Sequence, residues 1–207
     1  SELVTSNGIT TDFTGPQGTW VIDGDSSDID WQNYTDSYSG YWLHFIEEGS
    51  GFKTHEYALY NNDNSQYITS WTATLDTSSN ITGISLAENQ TYSLHVRGID
   101  SVDNVGDVLM SDGVLVDLSA PAAPMNLVGW FSTERIYLVW DQNEEADLDH
   151  YSIYGGTEMN PTTLLSTTAD STTEAFMPGF EDGNTYYLRI SATDIPGNES
   201  AFTTDVM

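Results

Sequence analysis

The chain has 207 residues, of which 32 are Asp or Glu and only 4 are Lys or Arg, so its formal net charge is −28. A chain this acidic repels nucleic acid and anionic membrane surfaces and attracts cations. It contains no cysteine, which excludes disulfides and thiol chemistry, and no apolar run reaches the length of a membrane span. We therefore expect no nucleic-acid partner, no insertion into a membrane, and an affinity for cations.

An internal repeat organises the chain. The segment TYYLRISATDIPGNES at 185–200 is an imperfect copy of TYSLHVRGIDSVDNVGD at 91–107. Residues 94 positions apart correspond: Tyr92 with Tyr186, Asp100 with Asp194, and Asn104 with Asn198. In each copy alternating apolar residues predict a half-buried strand that runs into a polar loop. A chain of this length with this offset fits two domains of ordinary size.

A second correspondence concerns the first residues of the chain. SNGITTDFTGP, which ends at Pro16, matches SDGVLVDLSAP at 111–121, 105 positions later. Because the later copy closes a domain, residues 1–13 are predicted to be the terminal strand of a preceding or neighbouring unit. A strand without a sheet leaves its backbone unpaired, and edge strands accept such segments. We expect residues 1–11 to be donated to another copy or a neighbouring domain, unless they are the remnant of a trimmed one.

The first domain is predicted over residues 14–118. Because the offset falls from 105 to 94, about eleven extra residues lie between its first strands, in DGDSSDIDWQNYTD, which we interpret as a surface loop. The following strands are predicted at 40–45, 54–60, 67–75, 81–86, 91–99 and 108–116.

A short linker, DLSAPAAP at 117–124, is stiffened by its prolines and leads into a second domain over residues 119–207. The strands of this domain are predicted at 125–130, 135–140, 149–154, 163–168, 173–177, 185–193 and 201–206. Many short strands with Gly, Asn and Asp turns, and no segment of helical period, predict all-β sandwiches.

Particular motifs carry a family resemblance. The second domain resembles a fibronectin type III module in Ala123-Pro124, in IYLVW ending at Trp140, in EEADLDHYSIY, and in MPGFEDGNTY ending at a corner tyrosine, Tyr186. The first domain resembles the bacterial immunoglobulin-like repeats of large secreted or cell-surface proteins in VIDGDSSDIDW, HEYALY and YSLHVRGID, although it lacks the Pro-Gly before its corner Tyr92. The resemblance implies two tandem immunoglobulin-like or fibronectin type III-like sandwiches, secreted or on the surface of a prokaryotic cell, and not an enzyme.

Calcium is the cation that the acidic loops favour. In a sandwich of this type, the loop after the corner-tyrosine strand and the loop between the second and third strands lie at the end where the chain enters. The candidate ligands are Asp117, Glu145, Asp147, Asp194 and Asn198 in the second domain, and Asp12, Glu47, Asp100 and Asp103 in the first, with Glu144 and Glu48 as substitutes. Ca²⁺ requires hard oxygen ligands in this number. The alternative is that these residues are turn formers and that the acidity only solvates the surface.

Three other kinds of site have weaker signals. The four histidines are dispersed and no motif places a nucleophile beside a base, so we predict no enzymatic activity. The run from Asp23 to Asp30 lacks the EF-hand spacing and its terminal Glu, which favours a solvated loop. Glycans become partners if two of the tryptophans at 20, 31, 71 and 130 are exposed side by side, although core packing is the usual role of Trp.

The sequence thus predicts a non-catalytic extracellular structural or adhesive module. It would form part of a surface fibre or array, with domain junctions stiffened by calcium. The alternative is a carbohydrate-binding or spacer region of a secreted hydrolase. Ions at the junctions and strand exchange between chains would favour the first interpretation, whereas exposed paired Trp would favour the second.

Overall fold

The structure is a computed structural model that describes residues 11–132, 135–169 and 172–207. These residues form sixteen strands and no helix. The chain divides into two compact units, Ser1–Asp117 and Leu118–Met207, each built on two facing sheets. The predicted all-β fold of two sandwiches is confirmed. Among the described residues no helix is long and apolar enough to cross a membrane.

Unit 1 packs a three-stranded sheet on a larger one. Its strands are β1 (Val21–Asp23), β2 (Trp31–Gln32), β3 (Ser37–Trp42), β4 (Phe52–Asn61), β5 (Gln66–Tyr67), β6 (Thr72–Thr74), β7 (Ser78–Thr82), β8 (Thr91–Asp100), β9 (Leu109–Met110) and β10 (Val114–Val116). The small sheet has the order β1-β3-β7, and the large one β2-β10-β8-β4-β5, with β6 on β4 and β9 on β8. All pairs are antiparallel except β2 and β10, which are parallel.

The core of unit 1 follows from residue alternation along its strands. Tyr38, Gly40 and Trp42 of β3 are buried while their neighbours are partly exposed, as expected for a strand with one face in the core. They face Leu94 and other inward residues of β8. Gly40 is needed here, because a Cβ atom would lie 2.7 Å from Leu94 Cδ2. The small sheet can therefore approach the large one closely at its centre.

Unit 2 is formed by two three-stranded sheets. Its strands are β11 (Val128–Ser132), β12 (Arg135–Val139), β13 (Leu148–Gly156), β14 (Leu164–Thr167), β15 (Glu174–Pro178) and β16 (Tyr187–Asp194). They pair in the orders β11-β12-β15 and β14-β13-β16, around a core that contains Trp140 and Tyr151. In place of the strand predicted at 201–206, Val206 forms an isolated bridge with Leu188, closed by two backbone hydrogen bonds of 2.8 and 3.0 Å.

Two strands predicted as continuous are interrupted. Between β5 and β6, Thr69 Oγ1 accepts the N–H of Leu59 at 2.9 Å, so a side chain replaces a backbone partner. Between β9 and β10, Ser111 Oγ accepts the N–H of Leu94 at 2.8 Å in the same way. Ser and Thr hydroxyls compete with the backbone for such hydrogen bonds, which ends regular pairing locally.

The acidic insertion departs from the predicted surface loop at its first residue and again in its second half. Asp23 ends β1 and is fully buried, while Trp31 and Gln32 form β2 beside the closing strand β10. The residues between them include exposed Asp25 and Asp28. The first half of the insertion is therefore a solvated turn between the buried Asp23 and strand β2.

Both units have the same tyrosine corner. The hydroxyl of Tyr92 accepts the N–H of Ala87 at 2.9 Å, and that of Tyr186 accepts the N–H of Glu181 at 3.2 Å. Each tyrosine thus bonds a backbone group five residues upstream, which is a hallmark of immunoglobulin-like sandwiches.

Replacing each corner tyrosine with phenylalanine tests how much this contact stabilises each unit. Tyr92 is only 2% exposed and also donates to Gln90, whereas Tyr186 is half-buried. We expect Tyr92→Phe to lower the free energy of unfolding by about 1–2 kcal/mol, because it leaves a poorly hydrated N–H unpaired. Tyr186→Phe should cost less. Urea unfolding of both variants is the measurement, and equal losses would contradict the role of burial.

Candidate metal centre

The segment that enters unit 1 is held between two loops at one end of the sandwich. Gln17 exchanges two backbone hydrogen bonds with Ile46, of 2.8 and 2.9 Å. On the other side, a Cβ atom on Gly106 would lie 1.9 Å from the carbonyl oxygen of Pro16. Only glycine permits this crossing, which fixes the position of the residues just before it. We call this end of the sandwich the entry pole of unit 1.

Three predicted ligands converge at the entry pole. Asp12, Glu47 and Asp100 each offer a carboxylate oxygen, and these oxygens lie within 4.8 Å of one another. Asp12 comes from the entering segment, Glu47 from the loop before β4, and Asp100 from the end of β8. The register explains the convergence, since Phe52 at the start of β4 pairs with Asp100.

Asp12 is held ionised by backbone and side-chain donors. Its carboxylate accepts the N–H of Thr14 at 3.1 Å, the hydroxyl of Thr14 at 3.0 Å, and the N–H of Ser50 at 2.8 Å. The backbone hydrogen bonds from Thr14 and then Ser50 lower its pKa to about 2. Gly49 allows this approach, because a Cβ atom there would lie 2.2 Å from Asp12 Oδ2.

Asp100 is fully buried and hydrogen-bonded within its own loop. It accepts the N–H of Val102 at 2.9 Å and both the N–H and the side-chain amide of Asn104 at 2.7 Å. Burial acts to raise the pKa of Asp100, but the hydrogen bonds from Asn104, Ser50 and Val102 outweigh it, so the pKa is lowered. Asp100 therefore has two roles: it is an anion at neutral pH, and its hydrogen bonds hold the turn that follows β8.

Glu47 completes the cluster with the least structural role. One of its oxygens, Oε1, accepts the N–H of Gly49 at 2.6 Å. Among the described residues, no Lys or Arg forms an ion pair with Asp12, Glu47 or Asp100. Three anionic oxygens this close repel one another, and a divalent cation between them would reverse that repulsion.

The same loop recurs in unit 2. Asp194 accepts the N–H of Gly197 at 2.8 Å, and the N–H and amide of Asn198 at 2.6 and 2.9 Å. Asp147 offers an oxygen within 4.8 Å of one from Asp194, and its carbonyl accepts the N–H of Ile195 at 2.8 Å. The second domain thus brings three of its predicted ligands together: Asp147, Asp194 and Asn198.

The remaining predicted ligands have other partners. Asp103 forms an exposed ion pair with Lys53, with 2.5 Å between Nζ and Oδ1. Glu145 accepts the N–H of Ala122 at 2.6 Å, which lowers its pKa. Asp117 is the last residue of unit 1, where it is buried and donates its N–H to the carbonyl of Gln32 at 2.9 Å.

A third acidic cluster was not predicted. Asp23, Asp28 and Asp112 offer oxygens within 4.8 Å of one another. Asp23 is fully buried, and it accepts hydrogen bonds from the hydroxyl of Tyr38 at 2.5 Å and the N–H of Gly113 at 2.9 Å. Burial raises its pKa, against the opposing effect of these donors. The repeated Asp of DGDSSD was the only signal in the sequence for this cluster.

Comparison with known proteins bears on the fold alone. No protein-family model matches the sequence, and no curated protein matches it. The FN1–FN3 domains of chicken CNTN1 have a TM-score of 0.54 at 13% identity, over 96% of this chain and 69% of theirs. This likeness supports the predicted tandem fibronectin type III-like architecture.

Two further solved structures have lower scores. A two-domain fibronectin type III segment of chicken tenascin has a TM-score of 0.37 at 13% identity, over 93% of this chain and 98% of that one. The Clostridium perfringens spore cortex lytic enzyme SleM has a TM-score of 0.37 at 20% identity, over 64% of this chain and 34% of that one. Neither score carries an argument about this chain.

Proposed function

We propose that the chain is a non-catalytic structural or adhesive segment of a secreted or cell-surface protein, and that Ca²⁺ stiffens its domain junctions. The observation that carries the proposal is the convergence of Asp12, Glu47 and Asp100 at the entry pole of unit 1. A cation there would tie the entering segment to two loops of the sandwich. The entering segment would then move with the unit rather than as a free linker.

The ligand chemistry favours calcium over other cations. The cluster contains only carboxylate oxygens, with no histidine and no cysteine, which disfavours zinc and copper. Ca²⁺ accepts six to eight oxygen ligands in a flexible geometry, whereas Mg²⁺ demands a regular octahedron. The three carboxylates come from three separate segments, and the remaining positions would be filled by carbonyl groups and water.

The internal repeat extends the proposal to the second domain. Asp117 corresponds to Asp12 at an offset of 105, and Asp194 corresponds to Asp100 at an offset of 94. Asp147 and Asp194 offer carboxylate oxygens together within the second domain. Repetition of such sites along an array would stiffen successive junctions.

Isothermal titration calorimetry of the intact chain with CaCl₂ tests this function directly. The proposal requires saturable binding that Glu47→Gln weakens, since glutamine keeps the acceptor for Gly49 but removes the charge. Glu48→Gln is the matched control, because Glu48 is the exposed neighbour and the change in net charge is identical. Absence of binding heat, or equal weakening by the two variants, would contradict a site at Glu47.

The environments of the four histidines support a role without catalysis. The rings of His44 and His55 lie among aromatic side chains, with 5.0 Å between their centroids. The ring of His95 stacks on that of Tyr60, with 4.5 Å between centroids, and His150 contacts the carboxylate of the adjacent Asp149. Each histidine therefore has a packing or hydrogen-bonding contact that gives it a structural role. Glycan or ester hydrolysis that co-purifies with the chain and disappears on mutation of one carboxylate would contradict this part of the proposal.

The partner that we propose is another copy of this chain, joined by strand donation. Residues 1–10 lie outside the described residues, so the proposal depends on their match to the segment that forms β10. Because β10 pairs with β8 in an antiparallel ladder, a segment of the same pattern suits the edge of a neighbouring sandwich. Such a contact joins copies head to tail and gives a filament unless it closes into a ring.

Deletion of residues 1–11 tests strand donation. We expect the intact chain to form concentration-dependent assemblies in light scattering and the shortened chain to remain monomeric. Asp12 is retained in the shortened chain, so the calcium cluster is not removed by the deletion. Assembly of the shortened chain to the same extent would exclude donation by this segment.

One observation favours the alternative, a carbohydrate-binding or spacer region of a secreted hydrolase. Trp130 is 49% exposed on a sheet face of unit 2. The other candidates belong to unit 1. The ring of Trp20 lies edge-on to Tyr41 with 5.5 Å between centroids, the guanidinium of Arg97 lies 4.2 Å from the ring centroid of Trp71, and Trp31 is paired in strand β2. Trp20, Trp71 and Trp130 each lie against a residue other than a second tryptophan, so the side-by-side pair that would favour glycan binding is not formed by these three.

A further inference from the structure

A cavity of about 310 Å³ lies beside the start of β16 in unit 2. Its lining includes the core side chains of Ile136 and Leu188, together with the corner tyrosine, Tyr186. A single water molecule needs only about 10–15 Å³ of such space, so this cavity has room for apolar side chains. Protein cores are otherwise closely packed, so the core of unit 2 is incompletely filled at this point.

In unit 1 the strand β10 closes the corresponding part of the core. Val114 and Val116 are 1% and 0% exposed and belong to the core cluster. β10 lies along β8, where Val114 is opposite Tyr92 and Leu115 is opposite Thr91. One strand thus supplies two core side chains and the backbone partners of β8.

The internal repeat maps the contacts of β10 onto the lining of the cavity. Besides pairing with Thr91 and Tyr92, β10 bonds the loop before them: Val116 donates its N–H to the carbonyl of Gln90 at 3.0 Å and accepts the N–H of Asn89 at 2.8 Å. The counterparts of these four residues at an offset of 94 all line the cavity: Gly183, Asn184, Thr185 and Tyr186.

This part of unit 2 is more open than its counterpart in unit 1. Tyr92 is 2% exposed, whereas Tyr186 is half-buried and Thr185 is exposed. The strand β8 begins at Thr91, but β16 begins only at Tyr187, two residues after the counterpart of Thr91. Among the described residues, no backbone hydrogen bond at Gly183 or at the carbonyl of Asn184 replaces those that Val116 makes. We call residues 183–186 and the cavity beside them the open edge of unit 2.

We propose that residues 6–11 of a second copy of this chain occupy the open edge, in the place that β10 has in unit 1. This inference rests on the strand donation proposed above and adds the position where the donated strand binds. The match between SNGITTDFTGP and SDGVLVDLSAP selects the occupant, because its offset of 105 puts Ile9 in the position of Val114 and Thr11 in that of Val116. The counterpart of β10 at an offset of 94 falls after Met207, outside the sequence, so no described residue of unit 2 takes its place.

The side-chain pattern of the donated segment suits the open edge. In β10, Val114 and Val116 are buried while Leu115 between them is partly exposed. Because side chains alternate along a strand, Ile9 and Thr11 enter the cavity and Thr10 faces outward. Burial of the apolar Ile9 side chain stabilises the contact, and the backbone of the segment pairs with the edge that β16 leaves open.

Charge also favours this segment over the rest of the chain. Residues 6–11 include no charged side chain, in a chain whose net charge is −28. Glu181 and Asp182 are exposed in the lining of the cavity, where an acidic segment would be repelled. The donated strand directly precedes unit 1 of its own chain, as β10 precedes unit 2. Strand and domain therefore follow in the same order between two copies as within one.

Two substitutions in the intact chain test the orientation of the donated strand. Ile9→Asp puts an unpaired carboxylate into an apolar cavity and should weaken assembly in light scattering by at least about tenfold. Thr10→Asp is the matched control, because it changes the net charge equally but lies on the outward face, so it should leave assembly nearly unchanged. Equal effects of the two variants would overturn the proposal.

A disulfide cross-link tests the acceptor, since the chain has no cysteine of its own. The pairing of Leu115 with Thr91 places Thr10 opposite Thr185. The donor is the Thr10→Cys chain, and the acceptor is a chain without residues 1–11 that carries Thr185→Cys. An acceptor with Thr91→Cys is the control, because β10 already covers that edge. We expect a disulfide-linked dimer in glutathione buffer with Thr185→Cys and not with Thr91→Cys.

The outcomes separate this inference from strand donation itself. If deletion of residues 1–11 abolishes assembly but the two acceptors cross-link equally, donation holds and the open edge is not its acceptor. If the intact chain stays monomeric at every concentration, both proposals are wrong. Melting curves of the acceptors show that each is folded, which Thr185→Cys should permit because Thr185 is exposed.

Discussion

Addition of calcium in excess is expected to raise the melting temperature of this chain by about 10 °C relative to chelator. A ligand that binds only the folded state at about 100 times its Kd stabilises that state by about 2.7 kcal/mol. A change of 1 kcal/mol corresponds to several degrees in a domain of this size. The ligands Asp12, Glu47 and Asp100 belong to separate segments that unfolding disperses, so the unfolded chain cannot reproduce the site.

The calcium effect should depend on one carboxylate and not on its neighbour. Glu47→Gln should remove most of the shift attributable to unit 1, while Glu48→Gln should leave it intact. Asp12 has a pKa of about 2, so this ligand is ionised at neutral pH, where the melting curves are to be measured. Identical melting curves in millimolar calcium and in chelator, by calorimetry, would exclude the proposed role.

Local sequence patterns predicted the parts of the structure that depend on nearby residues. The corner tyrosines Tyr92 and Tyr186 bond groups five residues upstream, and Asp100 and Asp194 bond asparagines four residues downstream. These contacts lie within one strand and its loop, so the repeat in the sequence carries them intact. The convergence of Asp12 with Asp100 was also predicted, because the sandwich topology fixes which loops share an end.

Contacts between distant segments could not be predicted in the same way. Asp23 was interpreted as a loop residue because DGDSSD has the composition of a turn, but its partner Gly113 lies 90 residues further along the chain. The contacts among Trp130, Tyr137 and Phe176 depend likewise on the register, which places Tyr137 opposite Trp130 on one side and Phe176 on the other. A shift of one residue would have turned these rings to the other face of the sheet, and the sequence alone does not fix that register.

A buried histidine is expected to make unit 1 sensitive to mild acid. His55 is fully buried between Trp42 and Phe52, with ring centroids 5.7 and 4.6 Å away. Its Nε2 accepts the N–H of Phe45 at 3.4 Å, which requires that this nitrogen carry no proton. Burial, and then the charge of His44, lower the pKa of His55 to about 4.

The direction of the pH effect follows from these two pKa values. The ordinary pKa of histidine is 6.5, so the unfolded chain takes up a proton at a pH where the folded chain does not. The stability contributed by neutral His55 is therefore complete above about pH 6.5 and is lost as the pH falls toward 4. Loss below pH 4 has a different cause, the protonation of Asp12 and Asp100, whose pKa values are also lowered.

Urea unfolding at a series of pH values should show this loss between pH 6.5 and 4, and His55→Gln should flatten it. Glutamine keeps an acceptor for Phe45 but cannot be protonated, so the variant should be less stable at pH 7 yet lose less stability in mild acid. The loss that remains is expected from His95, whose pKa is also lowered by burial. His150→Gln is the control, because His150 is only partly buried and pairs with Asp149 in unit 2. If the variant does not fold, an NMR titration of the intact chain decides instead, since a His55 pKa near 6.5 would contradict the buried neutral ring.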